Sequence, residues 1–285
     1  QFADVIVLAR ELTLQQIGSI CTEIKKQNIL GPKRKPVEIE IFVHGALCVA
    51  ISGKCYMSLA TYNSSANRGA CLQNCRRSYR VIDEETGDEL VVDNKYIMSP
   101  KDLCTIGFID KILDAGVRVL KIEGRGRAPE YVATTVKVYK EAIESYYDGT
   151  YTLEKIEQWT KELETVFNRG FWHGGYYLGK QLGEWSGAPG SKATTEKVYL
   201  GKVQNYYQKT KVGEFYLEAG TLKVGEEIYV MGPTTGVVQT TVTSLLWNDR
   251  NVPAATKGAV VTIPISEKIR ENDQLYKIIT AKREA

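Results

Sequence analysis

Residues 38–43 read EIEIFV and lead into His44 and Gly45; the aliphatic side chains alternate with Glu38, Glu40 and Phe42. Period-two alternation predicts a β-strand, because successive side chains of a strand point to opposite faces of the sheet. Three aliphatic side chains share one face, and two glutamates share the other. This strand is therefore expected to pack against helices on one side only, and its end at His44 is a position where an α/β enzyme places chemistry.

Similar strands followed by helical patterns occur on both sides of this stretch. Because parallel strands need a crossover connection, four such repeats predict a parallel sheet, which is either an open doubly wound sheet or part of a barrel. The predicted strands are 4–9, 38–43, 96–99 and 117–122, and the predicted helices are 14–26, 100–115 and 129–147.

Charged side chains on one face of several strands favour a barrel, whose aliphatic faces would meet the outer helices. A closed barrel needs eight strands and about 250 residues. Residues 1–149 are therefore expected to form the C-terminal half of a (β/α)8-type barrel, with a cysteine-rich insertion at 44–94. Either a preceding half-barrel or a second copy in a homodimer would complete the ring.

The composition changes after the helix that is predicted at 152–168. Residues 150–196 are expected to hold this helix and a linker rich in glycine and aromatic residues, and residues 197–285 alternate as short strands separated by turn residues. These strands predict a small antiparallel β-barrel domain. The predicted fold class is thus α/β plus all-β.

The net charge of the 285 residues is only +3, which by itself does not indicate a nucleic-acid-binding protein. The longest apolar runs are far shorter than the roughly 20 residues of a membrane-spanning helix. The first residues contain no recognisable secretory signal. We therefore expect no membrane partner and a cytoplasmic location.

The cysteine-rich stretch has an unusual charge distribution. Residues 44–82 contain no Asp or Glu but five Lys and Arg, together with four of the six cysteines in the spacing C-x6-C-x15-C-x3-C. In a reducing compartment, four such thiols favour a metal over disulfides. The spacing leaves an iron–sulfur cluster and zinc about equally open, with buried thiols as the third alternative. The candidate ligands are Cys48, Cys55, Cys71 and Cys75.

Polar side chains follow several predicted strands and would therefore meet at one edge of the sheet. The candidate catalytic residues are His44, Asp102 and Glu123. The candidate substrate-binding residues are Arg10, Glu11, Lys101, Arg125 and Arg127. An ion-pair network that braces this edge is the alternative. The candidate RNA-binding residues are Arg68, Arg76, Arg77 and Arg80, for which a solvated face or neutralisation of a cluster is equally open.

Three blocks of the sequence resemble one known family. Residues 40–58 (EIFVHGALCVAISGKCYMS), 69–79 (GACLQNCRRSY) and 120–125 (LKIEGR) are similar to the motifs of peptidase family U32, the collagenase-like peptidases. The likeness extends over essentially the whole chain. It is strongest to the branch of the family that acts in tRNA hydroxylation.

The resemblance implies a barrel enzyme whose four matching cysteines hold a 4Fe-4S cluster. It also implies hydroxylation of a tRNA uridine at carbon 5, with a dicarboxylate such as prephenate as the hydroxyl donor. Family members carry an N-terminal half-barrel as well. A sample handled in air can lose the cluster or hold zinc instead.

Two other functions remain open at this stage. The family name implies a peptidase of collagen-like substrates, although the sequence contains neither a Gly-x-Ser-x-Gly elbow nor a His-Glu-x-x-His helix. The chain could also be a module that only binds RNA, since it carries half of a barrel.

Overall fold

The computed structural model describes residues 2–51, 54–92, 99–179, 184–187 and 190–281. The chain divides into two compact units, Gln1–Lys192 and Ala193–Ala285. Most of the predicted strand at 96–99 lies outside the described residues. None of the described helices combines the length and the apolar character needed to cross a bilayer.

The first unit alternates strands and helices. Its helices are α1 (Leu14–Lys26), α2 (Met57–Tyr62), α3 (Ile109–Asp114), α4 (Pro129–Tyr147) and α5 (Leu153–Thr165). Its strands are β1 (Val5–Val7), β2 (Glu38–Gly45), β3 (Tyr79–Ile82), β4 (Glu89–Val92), β5 (Asp102–Cys104), β6 (Val119–Ile122) and β7 (Phe171–His173).

Strand β2 organises the sheet of this unit. It pairs in parallel with β1 and with β6, and its last residues pair antiparallel with β5, which continues in parallel to β7. The predicted alternation is present, because Ile39, Ile41 and Val43 are buried in the core formed with α1, α3 and α4. On the opposite face Lys121 forms an ion pair of 2.9 Å with Glu40. The sheet therefore has one apolar face and one charged face.

Local differences from the sequence-based expectation occur around residue 100. The helix predicted at 100–115 covers only Ile109–Asp114, and the residues before it include strand β5. Strand β5 is buried along its whole length because it lies between β2 and β7. Tertiary pairing on both sides thus overrides the helical pattern.

The five described strands of this sheet do not close on themselves. The mixed α/β class is confirmed, whereas a barrel is not found among the described strands.

The second unit is all β. Its strands are β8 (Thr195–Tyr207), β9 (Val212–Leu217), β10 (Thr221–Lys223), β11 (Glu227–Gly232), β12 (Gly236–Thr241), β13 (Leu246–Trp247), β14 (Arg250–Asn251), β15 (Ala254–Thr256), β16 (Val260–Pro264) and β17 (Gln274–Thr280). Eight of them form one antiparallel sheet, and β10 pairs with β15. Alternating side chains such as Leu200, Phe215 and Leu275 fill its core.

Candidate functional site

The carboxyl end of β2 makes a close crossing with the residue that follows β6. The amide of Glu123 donates to the carbonyl of His44 over 2.9 Å. The next residue, Gly45, has a φ of +109°, and a Cβ there would lie 2.5 Å from the carbonyl oxygen of Glu123. Only glycine fits this backbone conformation and this approach. The crossing thus places the predicted residues His44 and Glu123 side by side.

His44 lies in the core, not at an open mouth. It is 1% exposed, and its ring is surrounded by Tyr131, Tyr139 and Phe171. Its Nδ1 atom is 3.4 Å from the hydroxyl of Tyr139. Burial, assisted by the charge of Arg127, lowers the pKa of His44 to about 3. The imidazole is therefore neutral at physiological pH, and it can shape the site but does not titrate there.

Asp102 lies at the same edge of the sheet as His44 and Glu123, but it does not follow a strand as the sequence predicted. The sequence places it after a strand, but it is the first residue of β5. Because β5 runs antiparallel to the end of β2, its start lies just beyond the carboxyl end of β2. The carboxylate is 1% exposed and lies 3.2 Å from Arg127 and 3.8 Å from Arg169. Burial raises the pKa of Asp102, and the neighbouring arginines oppose that rise.

A third arginine joins this group from the cysteine-rich insertion. One terminal nitrogen of Arg76 donates to Ser99 and to the carbonyl of Pro100, both over 2.9 Å, and the other donates to the carbonyl of Leu47 over 2.8 Å. Arg76 is thus a clasp that ties the two ends of the insertion together. These bonds engage both of its terminal nitrogens within the protein, although the sequence assigned it to RNA phosphates.

We call Arg76, Arg127 and Arg169, which surround Asp102, the arginine cluster. Three guanidinium groups face one buried carboxylate, so two positive charges of the cluster lack a carboxylate partner in it. Burial, followed by repulsion from Arg76, lowers the pKa of Arg169 to about 10. Buried like charges are costly, so this arrangement favours a further anion nearby. Sequence reasoning missed Arg169, because it precedes β7 in a segment interpreted as a linker.

The cysteine loop, defined as residues 46–78, is held from within by polar side chains. Ser58 and Asn74 are buried; the Ser58 hydroxyl accepts from the amide of Leu72 over 3.0 Å, and Asn74 donates to Thr61 and to the carbonyl of Met57. These bonds attach the segment around Leu72 and Asn74 to α2.

All six cysteines of the chain are free thiols. The amide of Ala50 donates to Cys48 Sγ and the amide of Gln73 donates to Cys71 Sγ, each over 3.4 Å. Burial raises the pKa of Cys75; Arg76 opposes the rise, and the charges of Cys48, Cys71 and Cys55 add to it. Cys75 thus lies within electrostatic reach of the other three thiols. Among the described residues, no three His, Cys, Asp or Glu side chains converge tightly enough to hold a single metal ion.

The other predicted substrate-binding residues have partners inside the first unit. Arg10 donates to the carbonyl of Ala46 over 3.0 Å and lies over the ring of Phe42. Burial raises the pKa of Tyr177, with Arg10 opposing the rise and Glu11 adding to it, which places both predicted residues beside that phenol.

Lys101 and Arg125 also have partners. Lys101 forms an ion pair of 2.8 Å with Glu184, and Arg125 donates to the carbonyl of Gly69 in the cysteine loop over 2.8 Å. Of the predicted set, the described contacts bring Arg127 directly to Asp102.

The remaining predicted RNA-binding arginines are exposed. Arg80 forms an ion pair of 2.7 Å with Glu89 across the β3–β4 hairpin. Arg77 donates to the hydroxyl of Tyr62 over 2.6 Å and lies over its ring. Arg68 is exposed on the cysteine loop. The cations of this surface that remain open to a phosphate are therefore centred on Arg68 and Arg77.

A sequence profile of peptidase family U32 matches residues 1–187. A protein of Porphyromonas gingivalis named collagenase is 56% identical over 277 residues, which cover 97% of this chain and 67% of that protein. An uncharacterized protease of Methanocaldococcus jannaschii is 40% identical, with 97% and 67% covered. The tRNA hydroxylation protein P1 of Bacillus subtilis is 30% identical over 284 residues, with 96% and 63% covered. The chain thus spans about two thirds of the length of these relatives.

Proposed function

The chain belongs to peptidase family U32, and we propose that it is an iron–sulfur enzyme that hydroxylates carbon 5 of a uridine in tRNA. The observation that carries the proposal is that one loop holds four free thiols and that Cys75, one of them, lies beside the arginine cluster. The name of the Bacillus subtilis relative supports RNA hydroxylation as the activity.

The donor set fits an iron–sulfur cluster better than a single zinc ion. Four thiolates at about 2.3 Å from zinc are only about 3.8 Å from one another, and the described thiols do not converge that tightly. A 4Fe-4S cluster is wider, because each cysteine binds a different iron at a corner of the cube. Cys48, Cys55, Cys71 and Cys75 would hold it, and the cluster would supply electron transfer or Lewis-acid chemistry.

Charge supports the same assignment. Four thiolates around a cluster carry net negative charge, and the positive arginine cluster lies next to Cys75, since Arg76 and Arg169 both interact with this thiol. Amide donors to Cys48 and Cys71 stabilise thiolate sulfur in addition.

The arginine cluster also supplies a binding site for the hydroxyl donor. Arg127 and Arg169 are planar bidentate donors of the kind that recognise carboxylates, which suits a dicarboxylate such as prephenate. Asp102, which pairs with both guanidiniums, would hold them in position for that carboxylate. His44, which is neutral and buried, would help to exclude water from the base of the site. A preceding half-barrel or a second copy would cover the exposed edge at β1.

A peptidase is the second candidate, because a relative of 56% identity is named collagenase. The described geometry gives little support to a peptidase mechanism. Cys104 pairs with His44 across β2 and β5, but burial raises the pKa of Cys104 to about 12 while the pKa of His44 is about 3. A cysteine nucleophile needs the opposite shifts, toward thiolate and imidazolium. Cleavage of gelatin by the purified protein, lost in a variant of the arginine cluster, would establish the peptidase.

Mass spectrometry of tRNA nucleosides tests the proposed function. A strain without the gene is expected to lose 5-hydroxyuridine and its derivatives, and the wild-type gene is expected to restore them. Cys71→Ser should fail to restore them, whereas Cys21→Ser, which changes a core thiol on α1, should succeed. Unchanged nucleosides in the deletion strain would refute the proposal.

Metal analysis tests the cofactor separately. Anaerobically purified protein is expected to hold about four irons and four sulfides per chain, and the Cys71→Ser variant should lose most of them. One zinc per chain without iron would overturn the cluster assignment.

A further inference from the structure

The outer surface of the cysteine loop exposes large apolar side chains. Tyr56, Leu59 and Tyr62, spaced three residues apart along α2, are 63%, 39% and 54% exposed. Two further apolar side chains of the cysteine loop, Ile51 and Leu72, are 68% and 45% exposed. Large rings that remain in water gain nothing for the stability of the fold, so such a group of side chains indicates a binding surface.

The charge of this surface selects the partner. The loop contains no Asp or Glu, and Lys54, Arg68 and Arg77 are exposed on it. A polyanion is therefore the complementary partner, and exposed aromatic rings among cations are typical of sites that bind unpaired nucleic-acid strands. Arg77 lies 5.2 Å from the centre of the Tyr62 ring and donates to its hydroxyl. The phosphate of a nucleotide whose base stacks on the Tyr62 ring would lie near the guanidinium of Arg77.

We propose that Tyr56 and Tyr62 are stacking platforms for unpaired bases of an RNA strand whose phosphates contact Lys54, Arg68 and Arg77. This inference rests on the proposed function for the identity of the polyanion as RNA. Tyr56 directly follows Cys55, so a strand stacked here brings a neighbouring base to the thiols. A duplex hides the faces of its bases and binds less well.

Fluorescence anisotropy with the full chain measures the binding. The probe is a labelled uridine-rich oligonucleotide of about ten nucleotides, a length within the span of known single-strand sites, and the competitor is the same sequence in a duplex. We expect Tyr56→Ala and Tyr62→Ala each to weaken binding of the single strand about tenfold. Tyr62→Phe should bind like wild type, because it keeps the ring. Tyr147→Ala, which removes an exposed tyrosine of α4, is the matched control.

Two further readouts separate stacking and charge from a structural effect. An oligonucleotide that contains 2-aminopurine should lose fluorescence on binding wild type and lose less with Tyr62→Ala. Arg77→Gln should reduce the slope of log affinity against log salt by about 0.7. Equal affinities of wild type and both alanine variants, or binding of duplex as tight as single strand, would overturn the inference. Failure of every oligonucleotide to bind would overturn it too.

The outcome is separable from that of the proposed function. If both alanine variants weaken strand binding but the deletion strain keeps its hydroxylated uridines, the stacking surface stands and the hydroxylase proposal fails. If the nucleosides disappear in the deletion strain but the alanine variants bind normally, the hydroxylase stands and the stacking surface fails.

Discussion

The cysteine loop and the C-terminal unit are stabilised in opposite ways. In the C-terminal unit, eight strands share backbone hydrogen bonds around side chains such as Phe215 and Leu217, which have no exposed surface. The cysteine loop turns Tyr56 and Tyr62 outward and buries Ser58 and Asn74 instead. Its shape depends on a few directed polar contacts and on the clasp of Arg76.

This difference separates a unit that is stable through apolar burial from a loop that depends on polar contacts. An apolar core stabilises a sheet without any ligand, because burial of apolar surface is favourable by itself. A loop with a polar interior and four free thiols gains little from burial. The iron–sulfur cluster proposed above would therefore add to the rigidity of this loop, because metal binding couples to folding.

The largest expected effect contrasts the two regions directly. Phe215→Ala leaves a cavity in the C-terminal core and should lower the free energy of unfolding of that unit by about 3–5 kcal/mol. Ile51→Ala on the cysteine loop should change stability by less than about 0.5 kcal/mol, because this residue is 68% exposed to water. Urea unfolding of both variants measures the two values. Similar losses would show that the loop has a core after all.

The next effect concerns Asp102 and the arginine cluster that surrounds it. Asp102→Asn leaves Arg127 and Arg169 buried without their carboxylate, and should destabilise the first unit by about 3 kcal/mol. Glu89→Gln breaks an exposed pair with Arg80 and should cost less than about 1 kcal/mol. Limited proteolysis within residues 46–78 reports the loosening. Equal resistance of the Asp102→Asn variant and wild type would contradict the role given to this carboxylate.

The smallest effect is a dependence on pH. Because the folded protein holds His44 neutral down to about pH 3, against an ordinary pKa of 6.5, only the unfolded chain takes up this proton between those values. Stability is therefore full above pH 6.5 and is lost as the pH falls, by about 2 kcal/mol between pH 7 and pH 5. His44→Gln should lack this part of the loss in urea unfolding at the two pH values. An identical decline in both proteins would exclude His44 as its source.

Patterns that act locally could be predicted from the sequence. The alternation of residues 38–43 predicts the buried face of β2, which carries Ile39, Ile41 and Val43. Strand β5 could not be predicted, because its short sequence forms a strand only between two partners that are distant in the chain.

The residues of the candidate site also divide into those that a local sequence pattern marks and those that only the tertiary structure reveals. The cysteine spacing marks four free thiols in one loop, and their role as ligands stays a prediction. Arg169 was invisible, because its role comes from the position of β7 beside β5, and no local pattern encodes that pairing. The burial of Arg76 was equally hidden, since a cation in an acid-free stretch is expected to face solvent.

The clasp of Arg76 has a consequence for how this protein can diversify. A single side chain joins Leu47 to Ser99 and Pro100. The two ends of the insertion therefore stay together whatever residues lie between Arg76 and Ser99. The β3–β4 hairpin, which lies between Arg76 and Ser99 in the sequence, can then be lengthened or exchanged without loss of the three hydrogen bonds that hold Leu47 beside Ser99 and Pro100.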